Sequence, residues 1–118
     1  MDVRRSARVA EAIRDELTEL IGFELTDPRL KGVSVSRVEV SPDMRHASVL
    51  MVVPGSEAEQ KTALKALDHA APHLRHQLAA RLDLRRTPEL GFAIERWEEA
   101  PERVQILLQR AKKTRGRG

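Results

Sequence analysis

The sequence predicts an α+β domain, a three-stranded sheet covered on one face by helices. Three observations lead there. Apolar residues recur every three to four positions over residues 9–21 and again over 64–82, which marks two amphipathic helical stretches. Two runs rich in valine, 33–40 and 46–53, stand a short turn apart and pair as an antiparallel hairpin. A third alternating run, 90–94, follows the second helical stretch, so strands and helices mix without strict alternation.

Each element has a local cause. In the first helix Val9, Ile13, Leu17, Leu20 and Ile21 form the apolar stripe, and Ser6 is the expected N-cap. Asp27-Pro28 then sets a turn, because proline presets its own backbone and disfavours helix at the residue before it. The first strand changes phase between Val35 and Val38, which calls for a bulge near Ser36-Arg37. "SPDMR" is the hairpin turn. Ser56 is placed to cap the next helix, with Glu57 and Glu59 on the favourable side of its dipole. Leu67, Ala71, Leu74, Leu78 and Leu82 keep one face in register across Pro72, which cannot donate a backbone bond to Asp68. The pattern therefore predicts two helical segments, one ending and one starting at Pro72. Leu90, Phe92 and Ile94 share one face of the third strand, and Pro101 opens a last helix through Lys113.

Composition narrows the function. The 118 residues suit one domain, with 41% hydrophobic and 33% charged residues. Phe23, Phe92 and Trp97 are the only aromatics, so the core is aliphatic and a base-stacking grip on single strands is disfavoured. With no cysteine, disulfides and thiolate metal sites are excluded. The first residues lack the apolar core of a signal peptide, and the longest aliphatic run, 49–53, is too short to span a bilayer; a cytoplasmic protein with no membrane contact is expected. No glycine-rich phosphate loop and no nucleophile–base motif is present, so no catalytic residue, cofactor or small-molecule substrate is expected.

A net charge of +3 and a pI near 9.8 favour a polyanion partner only where the charge clusters. Arg75, Arg81, Arg85 and Arg86 form the best cluster and are the first candidates for phosphate contact. Arg4, Arg5 and Arg8 crowd the start of the first helix, and Lys112 and Lys113 open a basic tail over 111–118; these form the second group. His69, His73 and His76 are spaced to approach one another on a helix, but Pro72 disturbs the spacing and no glutamate or cysteine completes a metal site. His73 and His76 are expected instead beside phosphate. A helix start at Pro72 would also free the N–H groups of His73 and Leu74 for an anion.

In combination, "RVAEAIRDELTELI", "DPRLKGVSVSRVEVSPDMRHASVLMVV" and "LKALDHAAPHLRHQLAARLDLRRTPELGFAIE" resemble the ribosome-binding factor A family over Arg8 to about Glu95. The resemblance implies a KH-like fold of the bacterial type (type II). It also implies binding to the free 30S ribosomal subunit and its 16S rRNA during late maturation, without catalysis, in a bacterial protein of the cold-shock response. In this family a kink at a short alanine-containing motif replaces the GxxG loop of typical KH domains. The matching residues are Ala70, Ala71 and Pro72, with proline where glycine is usual. The expected organisation is a ribosome-binding domain over 1–110 and a disordered basic tail over 111–118, acting as a monomer. The alternative is a general KH-like RNA-binding regulator that does not single out the ribosome.

Overall fold

The computed structural model describes residues 3–95. The expected last helix, Trp97, and the tail with Lys112 and Lys113 lie outside the described residues.

Helix α1 spans Val3–Glu19 and begins before the expected cap. Ser6 lies inside it and is buried, one turn ahead of Ala10 and Ile13 on the same inward face. Packing of that face extends the helix past the residue that local preference would place at its end. Ile13, Leu17, Leu20 and Ile21 are buried as the stripe predicts. The chain then widens into a π turn over Leu20–Glu24, in which the Leu25 N–H donates to the Leu20 carbonyl at 3.0 Å. The extra residue keeps Leu20 and Ile21 inward and turns Phe23 outward, 83% exposed.

The Asp27-Pro28 turn forms a short 3-10 helix, Pro28–Leu30. Asp27 caps it by accepting the Arg29 N–H at 2.9 Å, and the Arg29 guanidinium returns to the same carboxylate at 2.6 Å. These bonds, side chain first and backbone second, lower the Asp27 acid to about 2. Gly32 follows with φ of 78°, and a Cβ there would meet the Pro54 ring at 3.1 Å. Glycine thus lets the chain enter the sheet close against the end of the second strand.

Strands β1 (Ser34–Val40) and β2 (His46–Val52) pair antiparallel, with Val38 opposite Val49 and Val40 opposite Ala47. The register shifts between Val35 and Arg37, as the phase slip predicts, so both Val35 and Val38 are buried. In the turn Ser41 Oγ donates to Asp43 at 2.6 Å, and Asp43 accepts the Arg45 N–H at 3.0 Å. Strand β3 (Glu89–Ile94) lies parallel to β2, with Ala47, Val49 and Met51 beside Leu90, Phe92 and Ile94. The sheet order is β1-β2-β3. A parallel neighbour requires a crossover, and helix α2 (Glu57–Leu82) supplies it.

Ser56 caps α2 in a reciprocal box. The Glu59 N–H donates to Ser56 Oγ at 3.1 Å, and the Ser56 N–H to Glu59 Oε1 at 3.0 Å. Leu67, Leu74 and Leu78 are fully buried and meet α1 and the sheet in one aliphatic core, where each such side chain contributes about 1.5–3 kcal/mol of transfer free energy.

The expected division of α2 at Pro72 is not formed: the helix runs unbroken over 26 residues with Pro72 inside it. The N–H groups of His73 and Leu74 therefore lie within the helix, not at a new start. Pro72 is exposed, opposite the leucine stripe, so its ring disturbs no core contact. The buried leucines on either side hold both halves to the sheet across the missing bond. The helix ends at Asp83, whose left-handed φ of 47° and ψ of 44° turn the chain out.

Candidate nucleic-acid interface

The surface of interest is the C-terminal half of α2 and the loop that leaves it. At 100° per residue His69, His73 and His76 point opposite the Leu74–Leu78–Leu82 stripe, and all three are exposed. Ala70 and Ala71 are half-buried beside that stripe, with Pro72 at the centre of the outward face. Arg85 and Arg86 are exposed in the loop just past the helix end, so they extend this face toward β3. Among the described residues, no group of three or more His, Cys, Asp or Glu side chains is placed to hold a metal ion.

Arg75 and Arg81 flank the stripe on opposite sides, and each is engaged within the fold. Arg75 donates through Nε and Nη2 to the Thr87 carbonyl, at 3.2 and 2.9 Å. Thr87 and Pro88 are buried at the entrance to β3, so this fork pins the return loop onto α2. Arg81 reaches Glu16 at 3.2 Å and Glu24 at 2.6 Å, tying α2 to α1 and to the π turn. These carboxylates, Glu16 foremost, hold the Arg81 guanidinium above its ordinary pKa. Both arginines lie beside the stripe as the helical wheel predicts, but their heads bind protein groups. The sequence carries no local sign of this, because the Arg81 partners are 57 and 65 residues away. Arg4, Arg5 and Arg8 are exposed on α1, outside the α2 surface.

Together these features define a small KH-like α+β domain of type II, with one helix face and one loop carrying basic and imidazole groups outward. The chain belongs to the ribosome-binding factor A family, whose sequence model matches residues 5–108. It is 50% identical to ribosome-binding factor A of Solibacter usitatus, over 99% of this chain and 95% of that one. It is 48% identical to the Thermomicrobium roseum protein of that name, over 96% and 88%. The crystal structure of ribosome-binding factor A from Thermus thermophilus superposes with a TM-score of 0.68 at 34% identity, covering 75% of this chain and 94% of that one. Thermus thermophilus coordinates fitted into a cryo-EM map of a 30S complex superpose with a TM-score of 0.63 at 34% identity, covering 76% and 94%.

Proposed function

We propose that this protein binds the free 30S subunit in the cytoplasm and assists its late maturation and the processing of 16S rRNA, without catalysing a reaction. The observation that carries the reading is the near-full-length relationship to ribosome-binding factors, with a relative of the same fold fitted into a 30S complex. No described helix is long and apolar enough to cross a membrane, which agrees with this setting. The ribosome-binding unit is taken as residues 1–110, acting as a monomer and without a cofactor, with 111–118 as a basic tail.

RNA meets the outward face of α2 and the loop beyond it. Arg85, Arg86, His73 and His76 supply contacts to phosphate, which position the RNA without reading its sequence. Arg75 and Arg81 contribute positive potential at the two flanks while holding the frame. Arg4, Arg5, Arg8, Lys112 and Lys113 form the second set of contacts.

Sedimentation of the tagged protein from a lysate of its own cells tests the reading. Co-migration with free small subunits that persists when unrelated competitor RNA is added supports it. Equal distribution over free RNA and all ribosomal fractions overturns it in favour of a general RNA-binding regulator.

A further inference from the structure

The sheet has a second face, turned away from α1 and α2, and it is open at one end and closed at the other. At the open end His46, Ser48, Glu89 and Gly91 are exposed. At the closed end Val52 is only 2% exposed, and the Glu95 side chain is 0% exposed. Strand pairing puts these residues together. Met51 points into the core, so Val52 points to the outer face. The Glu95 N–H donates to the Met51 carbonyl at 2.8 Å, which brings Glu95 alongside Val52. Arg37, opposite Leu50, completes the corner, with Nε 3.1 Å from Glu95 Oε1. That pair is ionic by distance, but neither atom is aligned for a hydrogen bond.

Both helices pack on the other face, so the burial of this corner needs a further cover. The chain itself supplies one of suitable length and pattern. Residues 96–118 continue directly from Glu95 at the rim of the corner. Val104, Leu107, Leu108 and Ala111 recur at three- and four-residue steps, one face of a helix. Glu98, Glu99 and Glu102 stand at its beginning, opposite in charge to Arg37. We propose that residues 97–111 dock on the outer face of the sheet, laying this apolar stripe against Leu50 and Val52. The domain then continues past β3, and the shielded Arg37–Glu95 pair marks where the segment leaves the sheet. This inference does not depend on the ribosome reading.

The chain has no cysteine, so Gln109→Cys gives a single site for a nitroxide label, on the polar side of the proposed helix. In the full-length labelled protein, the amide signals of Arg37, Leu50 and Val52 should be lost to paramagnetic broadening, while those of His69 and His73 on α2 remain. Retention of all three signals overturns the proposal. A mixture of isotope-enriched chains without nitroxide and nitroxide-bearing chains of natural isotope content separates the two sources of broadening. Loss of the three signals in that mixture overturns the proposal too, since the cover is then a second copy. Trp97, the only tryptophan, gives an independent reading. Its emission should lie at shorter wavelength than in the denatured chain and move toward the denatured value in Leu108→Lys. Emission in the native chain equal to that of the denatured chain overturns the docking.

Discussion

At the scale of single residues, the charged side chains divide into those the fold uses and those it presents. Arg75 belongs to the first set, because its fork on the Thr87 carbonyl joins two segments twelve residues apart. Hydrogen bonds from charged donors contribute about 1.5–3 kcal/mol, so Arg75→Ala should lower the melting temperature by several degrees. Arg85→Ala and Arg86→Ala should leave it unchanged, and thermal melts of the three variants side by side check the division. A melt of Arg75→Ala indistinguishable from the parent would assign the arginine to the surface. Asp27 gives a pH signature. Its folded-state pKa is depressed to about 2 from an ordinary 3.8, so its contribution to stability is fully present above the ordinary value and is lost as pH falls through about 2. A carboxyl titration followed by NMR should place the Asp27 midpoint near 2, and Arg29→Ala should return it toward 3.8. A midpoint already at the ordinary value in the parent protein would mean that the turn is not held by this pair.

At the scale of elements, α2 shows what a pattern can and cannot disclose. Its stripe, its Ser56 cap and the bulge in β1 are all legible in residue order, because each depends on neighbours a few positions away. The continuity of α2 is not, since proline's local cost argues for a break while the buried leucines on both sides oppose it. Ser6 fails as a cap for a similar reason: burial of the α1 face outweighs a local preference for ending the helix. The candidate arginines were legible as a cluster, but the engagement of Arg75 and Arg81 was not. It depends on which segments the fold brings beside them. Pro72 makes the balance measurable. An interior proline costs a helix about 3 kcal/mol, and here its ring is exposed, so Pro72→Ala removes the cost without opening a cavity. The variant should melt several degrees higher than the parent, and Pro72→Gly should gain less, because glycine enlarges the unfolded ensemble. A lower melting temperature for Pro72→Ala would show that the surrounding structure requires the proline's geometry at this point.

At the scale of the whole molecule, a net charge of +3 is too small to make the protein a general polyanion binder. Binding to RNA must then come from the local surface, and its salt dependence counts the contacts. Each phosphate neutralised contributes a slope of about −0.7 to −0.9 in log affinity against log salt, depending on whether the RNA is single-stranded or paired. If Arg85, Arg86 and two further cations make such contacts, affinity for the small subunit should fall roughly 50- to 150-fold between about 50 and 200 mM salt. Removing both Arg85 and Arg86 should make the slope shallower by about 1.4–1.8, with the melting temperature unchanged. Arg75→Glu and Arg81→Glu should behave differently. Each breaks a bond within the fold, so binding and melting temperature should fall together. The two patterns separate direct contact from support of the frame. An unchanged slope after loss of Arg85 and Arg86 would move the RNA contacts to Arg4, Arg5 and Arg8 on α1 or to Lys112 and Lys113. Charge removal at those positions should then produce the missing change in slope, because the number of ions released depends on how many phosphates are met, wherever on the protein the cations stand.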